Sequence, residues 1–185
     1  MKRARSSKGA LLMLALSWLT LDTAAAEESS ELTAEKFSVG EGIGFFTDDN
    51  FHGLALDFEG MYHINEHWSA GVNFQLGFDD DDFLLFSMPL YLQHDFDNFP
   101  VDVAVLKDMH AFLRFGLGFS YAKLDDGPIN VDRTGFLFVL GAGVAYPITQ
   151  HLSLESRMNI NLTSNDLFED DFYYSWQIVR ARYRF

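Results

Sequence analysis

From Trp68 to Phe78 the side chains alternate without a break. Trp68, Ala70, Val72, Phe74, Leu76 and Phe78 share one parity, and Ser69, Gly71, Asn73, Gln75 and Gly77 share the other. Successive side chains of an extended backbone point to opposite faces, so this stretch presents one wholly apolar face and one small, polar face. Its eleven residues suffice for a strand crossing a bilayer at a tilt. The segment before it repeats the pattern, with Leu54, Leu56, Phe58 and Tyr62 opposite Ala55, Asp57, Glu59 and Met61. Only Ile64 to His67 separates the two, which predicts a tight hairpin.

Six further segments follow the same rule. Phe37 to Phe46 carries glycines at 40, 42 and 44 on one face. Phe83 to Gln93 turns Leu84, Phe86, Met88, Leu90 and Leu92 one way, and Ala111 to Tyr121 sets Leu113, Phe115, Leu117 and Phe119 opposite Arg114, Gly116, Gly118 and Ser120. Gly135 to Tyr146, Leu152 to Leu162 and Tyr173 to Phe185 complete a predicted set of eight. The connections sort into two kinds. Asp48 to Phe51, Asp79 to Asp82, Asp125 to Arg133 and Ser164 to Asp171 are acidic, whereas Ile64 to His67, His94 to Asp108 and Pro147 to His151 are not. An eight-stranded meander with both termini on one side needs four connections at the far end and three at the near end, which matches. Asp97 to Asp108 is long for a turn and contains a Val101, Val103, Val105 alternation, so a ten-strand count stands as the alternative.

An acidic chain with 19 Phe, 7 Tyr and 3 Trp must set those rings against something apolar. No stretch after residue 26 has eighteen consecutive apolar residues, so a spanning helix is excluded. In lipid every backbone donor and acceptor needs a partner, and strands meet that demand only in a closed barrel. Eight strands leave an interior filled by side chains rather than a wide channel. The expected fold is therefore all-β: an eight-stranded antiparallel up-and-down transmembrane β-barrel over residues 36–185. A soluble, lipocalin-like barrel would invert the parity, and alternation alone does not separate the two.

The N-terminus predicts export. Lys2, Arg3, Arg5 and Lys8 precede the apolar stretch Ala10 to Leu21 and the small residues Ala24-Ala25-Ala26, the layout of a cleaved signal peptide over residues 1–26. Residues 27–35 read as a flexible acidic leader. The portion beyond residue 26 holds 9 basic and 26 acidic residues, a net charge of −17, which argues against nucleic acid as a partner. There is no Cys, so neither disulfides nor a lipid-anchoring thiol is expected.

The chain ends Ile178-Val179-Arg180-Ala181-Arg182-Tyr183-Arg184-Phe185. A terminal Phe185, an aromatic Tyr183 two before it and alternation running back from them resemble the assembly signal of outer-membrane β-barrel proteins. Gly141-Ala142-Gly143-Val144-Ala145-Tyr146-Pro147, Met88-Pro89-Leu90-Tyr91-Leu92 and Leu152-Ser153-Leu154-Glu155 resemble strands of the small OmpX/OmpA-type barrels. The resemblance implies residence in the outer membrane among its lipid and lipopolysaccharide, insertion by the barrel assembly machinery, short periplasmic turns and longer surface loops. A monomer without a peptidoglycan-binding domain after Phe185 is expected.

The inward parity collects charge. Asp57, Glu59 and Glu155 supply carboxylates, and Arg114, Arg157, Arg180 and Arg182 supply guanidinium groups, with Arg184 at the rim. Charges withdrawn from water need partners, which predicts an ion-pair network through the lumen that holds the barrel rigid; a gate for a minor channel is the functional alternative. Glu41 shares the lipid-facing parity of Val39 and Ile43, where a charge is costly, so a bulge or an inward turn toward Arg180 and Arg182 is expected. The loops hold 13 acidic residues, among them Asp79, Asp80, Asp81, Asp82, Glu169, Asp170 and Asp171. Such clusters suit hard cations, but the run lacks the spaced ligands of a calcium loop, so solvated loops and no bound metal are expected. Some small barrels deacylate lipid A with a His and a Ser two residues on; Arg157-Met158-Asn159-Ile160-Asn161-Leu162 has no His. No catalytic residue and no cofactor are expected, with a lipid A-modifying enzyme as the alternative.

Overall fold

The computed structural model describes residues 36–49, 51–79, 83–96, 108–126, 129–164, 166, 168 and 171–185. The expected signal peptide, the leader and nearly all of Asp97 to Asp108 lie outside the described residues. Those described form eight strands: β1 Phe37–Thr47, β2 His52–His63, β3 Trp68–Phe78, β4 Phe83–Asp95, β5 His110–Asp126, β6 Ile129–Pro147, β7 Leu152–Thr163 and β8 Phe172–Arg184. Each pairs antiparallel with its sequence neighbour, and β1 closes the barrel on β8. Eight strands, not ten, complete the ring. Phe185 is tied in by backbone hydrogen bonds in both directions with Phe37.

Burial follows the predicted parity. In β3, Trp68, Phe74 and Phe78 are exposed on the outside, whereas Ser69, Asn73 and Gln75 are buried. The inward glycines make room for larger neighbours. A Cβ on Gly141 would run into Asn159 and Arg114, one on Gly77 into the Phe46 ring, and one on Gly71 into Tyr91.

Three features depart from the expected pattern. The acidic connection Asp125 to Arg133 is mostly strand, since β5 and β6 stay paired from Tyr121 with Thr134 out to Asp126 with Ile129. Leu124 opposite Val131 and Lys123 opposite Asp132 give that extension cross-strand support. The alternation of β8 is not continuous either. Gly44 pairs with Gln177 and Ile43 with Val179, leaving Ile178 as an extra residue, and the β7 ladder shifts at the same place. This bulge turns Trp176, Ile178 and Val179 all outward, so Tyr173, Ser175 and Gln177 point inward although they share Phe185's parity.

Glu41 is the third departure. Ideal Cβ positions on Gly40 and Gly42 meet the Arg180 side chain, so both neighbours of Glu41 face the lumen. Glu41 therefore points outward, between Phe58 and Ala181, and the expected inward turn does not occur. The bulge that does exist lies in β8, across from Ile43 and Gly44, where it leaves β1 regular.

Candidate functional site

The lumen is built in tiers. Nearest the termini, seven charged side chains are buried among the described residues: Asp57, Glu59, Arg114, Glu155, Arg157, Arg180 and Arg182. Strand register places them together. β2 carries both Asp57 and Glu59, β7 carries Glu155 and Arg157, and Glu155 lies directly opposite Arg180 on β8.

Glu59 is the hub. Its Oε2 lies 2.7 Å from Arg114 Nη1 and 2.6 Å from Arg157 Nη1, while its Oε1 lies 2.9 Å from Arg182 Nη2 and 3.3 Å from Arg180 Nη2. Asp57 takes Arg157 Nη2 at 2.6 Å on one oxygen and Arg180 Nε at 2.6 Å on the other. Glu155 faces Arg180 Nη1 at 2.9 Å and Arg182 Nη1 at 2.8 Å. Four guanidinium groups against three carboxylates leave the cluster with one excess positive charge.

Neutral groups finish the shell. Arg114 donates to Gln93 Oε1 at 2.6 Å and stacks over Tyr91, its Cζ 4.0 Å from the ring centre. Arg157 Nε donates to Gln177 Oε1 at 3.3 Å, and Asn73 donates to Asp57. Sequence reasoning missed Tyr91, Gln93, Gln177 and Asn73. The inward parity of Tyr91, Gln93 and Asn73 was legible, whereas Gln177 turns inward only through the β8 bulge; the pairing of all four with particular charges depends on register.

Above the charges lies a neutral polar tier. Ser120 and Thr163 share a hydrogen bond of 2.7 Å, and Asn161 and Asn159 both donate to Ser175 Oγ at 3.1 Å. A cavity of about 10 Å³ between Gln75, Ser87, Asn159 and Arg114 has room for one water at most.

At the loop end the interior becomes apolar. Phe46, Ala55, Phe83, Leu85, Ala122, Leu137, Val139 and Tyr173 pack together, and Phe168 from the β7–β8 loop sits among them with 2 % of its surface exposed. Its ring stacks on Tyr173 at 4.8 Å and meets Phe83 edge-on at 6.1 Å. Asp171, at φ 57°, accepts from Thr163 N and donates to Phe168 O, which fixes the turn that brings Phe168 inward. The expectation of an ion-pair network through the whole lumen is corrected here, because the loop end is closed by apolar side chains. The signal was present in Phe83-Leu84-Leu85-Phe86 and Phe136-Leu137-Phe138-Val139, runs that are apolar at both parities.

In the loops, Asp48 Oδ1 accepts from Phe51 N at 2.6 Å and Asp79 Oδ2 from His52 N at 3.3 Å, so both shape connections. Asp80, Asp81, Asp82, Glu169 and Asp170 lie outside the described residues. Among the described residues no group of three or more His, Asp or Glu converges in a way that could hold a metal. At the opposite end, Tyr183 and Phe185 stack at 6.4 Å, beside His151.

The sequence matches the family model for the outer membrane protein β-barrel domain over residues 10–185. Among solved structures the chain is similar to Neisserial surface protein A, with a TM-score of 0.63 and 16 % identity over 82 % of this chain and 98 % of that one. It is similar to the N-terminal β-barrel domain of Pseudomonas aeruginosa OprF, at 0.58 and 10 % over 82 % and 98 %. It also resembles Ail, the attachment invasion locus protein of Yersinia pestis, at 0.53 and 15 % over 81 % and 97 %. Among curated proteins none matches the sequence.

Proposed function

This chain belongs to the outer membrane protein β-barrel domain family, and from that premise we propose that it is a non-enzymatic, non-conducting barrel with a structural or surface-interaction role. One observation carries the proposal: the lumen is closed twice over, by the ion-pair cluster around Glu59 and by the aromatic cap around Phe168. A barrel plugged at both levels offers solutes no path. Among the described residues no His stands beside a Ser in the polar tier. The inward His–Ser contacts lie at the terminus end, where His63 meets Ser69 at 2.9 Å and Ser38 at 3.0 Å, and its other polar neighbour there is Arg184 rather than a carboxylate that would orient a general base.

What remains available for function is the loop end and the outer wall. The loop end carries 13 acidic residues, three of them on the paired β5–β6 extension, which suits contact with lipopolysaccharide phosphates through bridging divalent cations or with a basic partner. One of the solved Ail structures is a complex with the heparin analogue sucrose octasulfate; loops this acidic would repel such a polyanion, so that ligand class does not carry over. The family premise supports passage through the barrel assembly machinery on the Tyr183 and Phe185 strand. The absence of any interface demand within the closed sheet favours a monomer.

Lipid A mass spectra from cells with and without the protein test the non-enzymatic half. Identical acyl patterns are expected, and any missing or added chain that depends on the protein would refute it.

A further inference from the structure

The terminus end of the lumen opens into a vestibule of about 290 Å³ whose floor is the ion-pair cluster. Its walls differ in sign. Glu66, in the β2–β3 turn, and Asp95, at the end of β4, line one side; Arg182 and Arg184 of β8 line another, with His110 and Ser153 between. In a ring of eight strands β4 and β8 are four positions apart, so Asp95 and the two arginines face each other across the opening.

The arginine side is not fully engaged. Arg182 is 7 % exposed, and its Nη1 and Nη2 are spent on Glu155 and Glu59, but its Nε is buried without a hydrogen-bond partner among the described residues. A buried guanidinium N–H left unpaired costs free energy that an acceptor entering the vestibule would recover. Arg184, exposed at the rim, adds a second donor to the same wall, 3.4 Å from His63 Nδ1. On the facing wall Asp95 accepts a hydrogen bond from Gln93 Nε2 at 2.7 Å and has no ion-pair partner among the described residues.

A simple anion would meet Asp95 and Glu66 on entry, and a simple cation would meet Arg182 and Arg184. We infer that the vestibule is a binding site for a small zwitterion of the amino-acid or short-peptide class. Its carboxylate is taken on the wall formed by Arg182 and Arg184, and its ammonium by Asp95 and Glu66. In the usual orientation of such barrels, with the termini and short turns in the periplasm, the ligand enters from that side. The site requires no opening of the lumen above it.

The test uses the protein extracted from outer membranes and held in lipid nanodiscs, titrated with alanyl-alanine by calorimetry. N-acetyl-alanyl-alanine and alanyl-alanine amide serve as probes lacking one charge each. Saturable binding of the free dipeptide is expected, with each blocked form weaker by about tenfold or more, the scale of a lost charge-assisted hydrogen bond. Arg184→Gln should reduce discrimination against the amide more than Arg184→Lys does, and Asp95→Asn should reduce discrimination against the acetylated form. These residues lie outside the Glu59 cluster, and unchanged heat-dependent gel mobility shows that the variants are folded. Absence of saturable binding, or equal binding of free and blocked dipeptides to the unmodified protein, would overturn the inference.

Discussion

Glu59 touches all four buried arginines, so it concentrates the electrostatic cost of this lumen in one carboxylate. Removing one partner of a buried ion pair leaves the other uncompensated, which costs about 3–5 kcal/mol. Glu59→Gln keeps the shape and removes the charge; it is expected to lower unfolding stability in urea-containing lipid vesicles by that amount. Arg182→Gln should cost less, because its side chain is the most exposed of the cluster, at 9 % against 3 % or less for the others. Glu41 predicts the opposite sign. An outward carboxylate within the spanning wall is unfavourable, so Glu41→Leu should stabilise the barrel by about 1 kcal/mol or more in the same assay.

Among the strands, β8 shows how much of the architecture rests on one extra residue. The bulge at Ile178 keeps Trp176 and Tyr174 in the outer wall while Arg180 and Arg182 remain in the lumen. Deleting Ile178 would join two runs already in phase, giving Gln177 inward, Val179 outward and Arg180 inward. That variant is expected to assemble, with heat-modifiable migration on a gel. Deleting Ala181 from the regular part of the strand would drive Arg182 or its neighbours into the hydrocarbon and should prevent assembly; equal behaviour of the two deletions would refute this account of the bulge. The strands themselves, their order and the inward set of charges were legible because a two-residue period exposes them directly. The bulge was not, since Gln177-Ile178-Val179 carries no local mark of irregularity. The aromatic cap left a signal in Phe83-Leu84-Leu85-Phe86 and Phe136-Leu137-Phe138-Val139, apolar at both parities, but the place of Phe168 was not legible, since its loop's inward course depends on the Asp171 turn.

For the whole molecule, the closed hydrogen-bond ring and the apolar outer wall make the bilayer the solvent of the sheet. The interior is then the only place where polar groups can be arranged freely, and it is filled from both ends. Phe168→Ala should cost about 3 kcal/mol, the usual loss for a buried ring, and should not by itself produce a conducting pore, because the cluster around Glu59 still blocks the other end. The most direct test of that central claim is the current carried by the purified protein in a planar lipid bilayer. A flat baseline is predicted after confirmed insertion, for the unmodified protein and for Phe168→Ala alike. Reproducible unitary steps from the unmodified protein would contradict it.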